Sequence, residues 1–129
     1  MPVRTDLALL GQRIQLPPGV ERASWIVLPV GATSSAAPGP TDTQLVAFLK
    51  LSPVGWQAVG PSSRRQTVTL PSAAAGVVPA EALAGATRKG SDYTLDGEAF
   101  SADAFNLGSY RGQYAVRIGD GLLVSLQTQ

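Results

Sequence analysis

The last seventeen residues, 113 to 129, constrain the fold most because they have the pattern of a β-hairpin. Two runs of alternating apolar residues flank Gly119-Asp120-Gly121, and this combination is typical of hairpins. A three-residue loop places Ile118 opposite Leu122, whereas a loop of Asp120 and Gly121 alone shifts the pairing by one residue. Because such a shift turns every side chain to the other face, we expect the three-residue loop, with Gly121 in the left-handed conformation.

Similar patterns along the chain predict an all-β, mainly antiparallel fold, a β-sandwich or small barrel of seven or eight strands. We expect strands at 13–16, 22–30, 66–70 and 104–107, a second hairpin (44–51 with 56–60) and a third (93–95 with 98–100, turning at Asp96-Gly97). Asp6 could cap a short helical turn that Gly11 ends. At most one short helix is expected, near 79–86, where Pro79 suits the first turn.

The length of 129 residues predicts a single β-rich domain, 1–129. Residues 31–43 are rich in Ala, Ser, Pro and Gly, and we expect a flexible loop there. It is either a tolerated insertion or a loop that binds a neighbour.

Charge argues against nucleic acid as a partner. Only 15% of the residues are charged, the net charge is +1, and the basic residues are scattered except for two pairs, Arg64-Arg65 and Arg88-Lys89. Nucleic-acid-binding domains usually concentrate basic residues on one face. We therefore interpret the two pairs as solvated loop charges rather than phosphate sites. No apolar run approaches the ~20 residues of a membrane-spanning helix.

The chain has no histidine and no cysteine, which limits its chemistry. Ser-His-Asp and Cys-His catalysis are excluded, and we expect no metal site and no cofactor, since imidazole and thiolate ligands are missing. No glycine-rich phosphate loop is present. A small-molecule ligand is not expected.

Carboxylates are the remaining catalytic groups. Asp92, Asp96, Glu98 and Asp103 lie within twelve residues, and Asp120 is in the last turn. Two carboxylates can hydrolyse a glycoside, and oxygen ligands suit Ca²⁺. The spacing matches no EF-hand loop, and Asp before Gly is favoured in turns for local reasons, so we interpret these residues as turn and surface carboxylates.

Tyr110 and Arg111 form the candidate ligand rim. They precede the last hairpin and could offer a stacking surface to a sugar or a base. The alternative interpretation places the tyrosines at the rim of a core filled by tryptophan and phenylalanine.

Candidate interface residues come from two strands. Residues 45–49 are apolar on both faces and need cover on both sides, which singles out Val46 and Phe48. Leu123, Ser125 and Gln127 lie on the expected outer face of the last hairpin. We expect the strand 122–127 to be either central in the sheet or paired across an interface, since nothing in it would protect an open edge.

These observations lead to a hypothesis of a non-catalytic structural or assembly protein, such as a phage virion or decoration subunit. It would act through contacts with a protein partner or by self-association. An extracytoplasmic bacterial binding or inhibitor domain is the alternative, and a carboxylate-dependent hydrolase is the third. Arginine outnumbers lysine and Ala, Gly and Pro are abundant, which indicates a bacterial or phage source. The sequence leaves the location open, and the hypotheses favour a virion or extracytoplasmic location over the cytoplasm.

Overall fold

A computed structural model describes residues 3–30, 42–62, 64–90 and 92–128. These residues form seven strands, three short α-helices and two 3₁₀ helices. In chain order the elements are α1 (Leu7–Arg13), β1 (Val20–Val30), β2 (Asp42–Leu51), α2 (Pro53–Ala58), β3 (Arg64–Leu70), a first 3₁₀ helix (Ser72–Val77), α3 (Ala80–Leu83), β4 (Thr87–Lys89), β5 (Asp92–Ala99), a second 3₁₀ helix (Ala102–Phe105), β6 (Tyr110–Ile118) and β7 (Gly121–Thr128). The all-β prediction and the strand number are confirmed. The expectation of at most one helix was wrong, although α3 lies where it was expected.

All seven strands belong to one antiparallel sheet of two unequal parts. The strand order is β1-β2-β7-β6-β5-β3, and β4 pairs with β5. We call β1, β2, β7 and β6 the large subsheet, and β3, β5 and β4 the small subsheet. β7 lies between β2 and β6, so the prediction that 122–127 is either central or paired across an interface is confirmed in its first form.

The large subsheet is covered on both faces. On one face, Leu10 and Ile14 from the α1 region and Phe105 from the second 3₁₀ helix pack against Trp25 and Val124. On the other face, the first 3₁₀ helix and the small subsheet pack against the strands, with Ala74, Val77, Val68 and Leu95 around Val46. Every residue of β7 from 121 to 126 is buried, as a strand covered on both faces requires.

The N-terminal helix begins as the sequence predicts and ends later. The Asp6 carboxylate accepts hydrogen bonds from the Ala8 and Leu9 amides, at 2.9 and 3.2 Å, which is N-capping. Gly11 does not end the helix, which continues to Arg13. The predicted strand at 13–16 was therefore wrong. The second predicted short strand, 104–107, begins within the second 3₁₀ helix, which ends at Phe105, and Leu107 forms only an isolated bridge with Tyr110.

The register of the last hairpin differs from both registers considered. Ile118 pairs with Gly121 and Val116 with Leu123, so the loop is Gly119-Asp120. Gly119 has a φ of 59° while Asp120 and Gly121 do not have positive φ, the pattern of a type II′ turn. The preference for the three-residue loop was wrong because β7 is buried on both faces. A shift by one residue therefore exposes no apolar side chain.

The predicted hairpin of 44–51 with 56–60 was wrong. Ser52 starts α2 instead, accepting a hydrogen bond at its hydroxyl oxygen from the Gly55 amide at 3.3 Å, and Pro53 occupies the first turn. This is the ordinary start of a helix. β2 pairs with β1, the strand before it, and with β7, from the far end of the sequence.

The predicted turn at Asp96-Gly97 was also wrong, because both residues lie within the continuous strand β5. A Cβ atom at Gly97 would collide with the carbonyl oxygen of Arg117. Glycine is therefore present here so that β5 can approach β6 closely, and not to form a turn.

The predicted flexible loop, 31–43, lies outside the described residues except for its last two positions, where β2 has begun. The single-domain prediction stays a prediction. In the described ranges, no helix is both long enough and apolar enough to cross a membrane.

Candidate functional site

An open groove of about 490 Å³ lies at one end of the large subsheet. It is formed by the ends of β1 and β2, by α3 with the residue before it, and by the β6–β7 turn. We call it the Phe48 groove; its lining residues are Arg22, Ala23, Ser24, Phe48, Lys50, Pro79, Glu81, Ala82, Ile118, Gly119 and Asp120.

The floor of the groove is the Phe48 ring. Phe48 is half-buried, and a Cβ atom at Gly121 would collide with its ring. The ring therefore lies over the glycine of β7, in space that any other residue would fill. Ile118 and Ala82 extend this apolar surface.

One side of the groove is positively charged. Arg22 and Lys50 are directly opposite each other across β1 and β2, and both are exposed. Neither side chain has a carboxylate within ion-pair distance in the part of the chain that the structure describes. Like charges in directly opposite positions destabilise a sheet, and on its other side Lys50 pairs with Gly121, the residue after Asp120.

The other sides are negatively charged. Glu81 is in α3 and Asp120 is in the β6–β7 turn, and both are exposed. The groove thus combines two cations, two carboxylates and an aromatic ring, and Asp120 is close to Lys50 because Gly121, the next residue, pairs with Lys50. It can make both charged and apolar contacts with a ligand.

The candidate interface residues are divided by the fold. Val46, Leu123 and Ser125 have 0% exposure and lie in the chain's own interior, so the interface suggested for them has no surface to use. Phe48 and Gln127 are half-buried, and Phe48 lines the groove. For these two the interface stays a prediction.

Tyr110 and Arg111 do not form a common rim. Tyr110 is buried, and its hydroxyl group lies 3.2 Å from the Thr43 hydroxyl group. Arg111 is exposed, and its guanidinium donates to the Tyr110 carbonyl oxygen at 3.5 Å. The Tyr110 ring therefore packs in the core and offers no stacking face.

The candidate carboxylates lie apart from the groove, except Asp120. Asp92, Asp96 and Glu98 alternate along one face of β5, and Asp96 forms an ion pair with Arg65 at 2.9 Å. Asp103 is exposed on the second 3₁₀ helix. Among the described residues, no three carboxylates are close enough to hold a metal ion.

The two basic pairs lie in the small subsheet. Arg65 is held by Asp96, and the Arg88 guanidinium lies 5.2 Å from the Tyr93 ring centroid. The absence of nucleic-acid binding stays a prediction.

A polar cluster lies at the end of the large subsheet away from the groove. Ser125 donates to Gln113 Oε1 at 2.8 Å and accepts from Gln44 Nε2 at 2.8 Å. The Tyr114 hydroxyl group is buried without a hydrogen-bond partner. Burial raises the pKa of Tyr114 to about 12.

A second cleft of about 200 Å³ lies on the opposite face, between the segment after α1, the end of α2 and the second 3₁₀ helix. Its walls are mainly apolar and include Leu16, Pro17, Pro18 and Val59. It contains no titratable side chain, so its chemistry is limited to packing.

Sequence reasoning found Phe48 and Asp120 but missed the rest of the groove. The signal was present, since Arg22 and Lys50 are charged residues at the ends of apolar strands. Their proximity depends on β1 pairing with β2 in one particular register, which the separate strands do not reveal. Comparison with family models, with curated proteins and with solved structures finds no match for this chain.

Proposed function

We propose that this protein is a non-catalytic assembly protein that receives part of a protein partner in the Phe48 groove. The observation that carries the proposal is the direct pairing of two exposed cations, Arg22 and Lys50, beside the half-buried ring of Phe48. Contact surfaces between proteins typically combine an aromatic or apolar centre with charged edges.

The groove supports binding better than catalysis. A carboxylate pair that hydrolyses a glycoside needs two groups whose environments differ, one of them usually buried. Glu81 and Asp120 are both exposed, so the hydrolase alternative has no such difference to use.

The groove also suits a polymer better than a small molecule. Ligand pockets usually enclose most of their ligand, whereas this groove is partly open to solvent. A segment of another protein could contact its lining from the solvent side. A second copy of this chain and a heterologous scaffold are both partners of this kind.

Site-specific photo-cross-linking tests the proposal. A benzoylphenylalanine at Ser24, inside the groove, should yield an adduct with one protein, either in the native cells or with the purified chain at micromolar concentration. The same group at Thr69, exposed on β3, is the control position. An adduct of doubled mass identifies a second copy, and any other defined mass identifies a heterologous partner.

A matched pair of variants on α3 then tests the groove itself. Ala82→Trp should fill the groove and abolish the Ser24 adduct, whereas Ala80→Trp, on the exposed side of the same helix, should leave it unchanged. Equal adducts at Ser24 and Thr69, or an adduct that survives Ala82→Trp, would show that the groove is not the contact site.

A further inference from the structure

We infer that the partner segment in the Phe48 groove is extended and adds to the sheet as a further strand, through backbone hydrogen bonds to Ala23 of β1. This inference rests on the proposed function and names how the groove holds its partner. β1 is the first strand of the sheet and pairs with β2. We call the side of β1 away from β2 its outer edge.

The hydrogen bonds of Trp25 show which backbone groups lie on the outer edge. The Trp25 amide donates to the Arg4 carbonyl oxygen at 2.8 Å, and the Arg4 amide donates to the Trp25 carbonyl oxygen at 2.7 Å. Both backbone groups of Trp25 therefore point away from β2. These directions alternate along a strand, and the register with β2 is regular from Arg22 to Val30. The amide and carbonyl groups of Ala23 therefore point to the outer edge as well.

The two outer-edge groups of Ala23 have no partner among the described residues. Arg4 reaches only Trp25, because the chain turns away at Asp6, whose carboxylate caps α1. Ala23 is nevertheless buried, with 5% exposure. Buried backbone groups nearly always have a hydrogen-bond partner, so this pair points to a binding partner that supplies both a donor and an acceptor.

These groups of Ala23 face the Phe48 groove. The Ala23 side chain packs in the core on the face of the sheet opposite to the groove, yet Ala23 is one of the residues that line the groove. It therefore contributes its backbone to the lining. An extended segment that adds to a sheet edge is bound through such main-chain groups.

An added strand also brings a side chain to the Phe48 ring. Side chains alternate along a strand, so the neighbours of the residue that pairs with Ala23 point to the groove face. One of these neighbours would lie opposite Ser24, which pairs with Phe48 on its other side. Because serine is small, a large apolar side chain at this position can reach the ring of Phe48 across it.

The charges of the groove fit recognition through the backbone. Both signs line the groove, in Arg22, Lys50, Glu81 and Asp120. Gly121 pairs with Lys50, which brings the preceding Asp120 close to that cation. Such a mixed lining does not select a segment of one charge, whereas main-chain hydrogen bonds hold an extended segment of any charge.

Proline at position 23 removes the amide donor and places a ring at the outer edge. The sheet should tolerate it, because proline is accepted in an edge strand where its nitrogen faces away from the ladder. β1 already contains Pro29, which has its nitrogen on the outer edge by the same alternation. We therefore expect Ala23→Pro to fold, and thermal unfolding checks this.

The yield of a photo-cross-link then measures binding. Benzoylphenylalanine at Asp120, which lines the groove, should give the same adduct as the group at Ser24. Ala23→Pro should lower the yield of this adduct about tenfold, since a main-chain hydrogen bond is lost and the ring obstructs the added strand. Ala23→Gly keeps the amide group and is the matched control, with an unchanged yield.

Amide hydrogen exchange gives a second measurement that needs no proline. In the purified Asp120 adduct, the Ala23 amide should exchange about tenfold more slowly than in the free chain, because it has gained a hydrogen bond. The Ser24 amide, which the alternation directs to β2, is the internal reference and should exchange slowly in both.

The outcomes separate this inference from the proposed function. An unchanged yield in folded Ala23→Pro, an equal loss in Ala23→Gly, or equal exchange of Ala23 in the adduct and the free chain would overturn the added strand. The groove remains the contact site in those cases if Ala82→Trp still abolishes the Ser24 adduct. If Ala23→Pro does not fold, the exchange of Ala23 decides. Absence of a specific adduct at Ser24 overturns both proposals.

Discussion

The two subsheets differ in how many of their faces are buried and in how extensively their strands pair. In the large subsheet, β7 is buried at six consecutive positions and has long registers with β2 and β6. In the small subsheet, β3 and β5 alternate between buried and exposed positions. The difference shows that one sheet can contain a double-sided core and a single-sided extension.

The joint between the subsheets is narrow. β5 and β6 share one registered pair, Ala99 with Val116, next to a hydrogen bond from the Phe100 amide to the Ala115 carbonyl oxygen at 2.8 Å. Gly97 allows the close approach to Arg117, whose guanidinium lies 4.3 Å from the Trp56 ring centroid. The small subsheet therefore depends on this joint and on packing against the other core, and not on a long ladder.

Matched leucine truncations should give the largest effect and test the comparison directly. Leu122 in β7 and Leu95 in β5 are both buried, at 0% and 4% exposure. Leu→Ala in a core costs about 2–5 kcal/mol, depending on how far the site can collapse. We expect Leu122→Ala near the top of that range and Leu95→Ala near the bottom, measured by urea unfolding. Equal losses would contradict a difference in rigidity.

Gly97→Ala should have the next largest effect, because the new methyl group collides with the Arg117 carbonyl oxygen. Overpacking of this kind costs about 1–3 kcal/mol. Amide hydrogen exchange should become faster in β3 and β5 and stay unchanged in β7.

Gly85→Ala is the control for that substitution, because the nearest atom to its new methyl group would be at 3.8 Å. It should leave exchange unchanged throughout. If Gly97→Ala accelerates exchange in β7 as much as in β5, the two subsheets unfold as one unit and the comparison is wrong.

Tyr114→Phe should have the smallest effect at neutral pH and a measurable one in alkali. The pKa of Tyr114 in the folded protein is about 12, above its ordinary value of 10.0. Folding therefore favours the protonated hydroxyl group. The contribution of this group to the free energy of unfolding is complete below pH 10 and is lost as the pH rises through 12. Relative to pH 8, the wild type should lose about 1 kcal/mol more than Tyr114→Phe at pH 11.

The reference for this comparison of stabilities is neutral pH. There, Tyr114→Phe removes a buried hydroxyl group that has no hydrogen-bond partner. Removing such a group is expected to cost little or to stabilise. Parallel pH profiles for the two proteins would contradict the raised pKa.

The sequence was sufficient to predict strands where the local pattern of apolar residues matches the burial of the strand faces. The strands at 22–30 and 66–70 were predicted because their alternation or their apolar content matches the faces that are buried. Asp96-Gly97 was misinterpreted because the need for glycine comes from Arg117, twenty residues away along the chain. Ser52-Pro53 carried a local helix signal, which the hairpin interpretation overlooked.

The groove could be predicted only in part, for the same reason. Phe48 was noticed because its strand is apolar on both faces, but its place over Gly121 depends on the pairing of β2 with β7. Arg22 and Lys50 become neighbours only when β1 and β2 pair in register. Contacts of this kind join residues distant in the chain, and no local pattern encodes them.

The comparison of subsheets also bears on the proposed binding site. The groove lies between one end of the large subsheet and α3, which belongs to the connection between the two strands β3 and β4. The exposed end of a rigid, double-sided sheet is suited to hold charges and an aromatic ring in fixed positions.

The most direct test of this account is the photo-cross-linking comparison between Ser24, in the Phe48 groove, and Thr69, exposed on β3. The account predicts one defined adduct at Ser24 that Ala82→Trp abolishes and Ala80→Trp leaves unchanged. Equal adducts at the two positions, or an adduct at Ser24 that survives Ala82→Trp, would contradict the claim that the groove binds a protein partner.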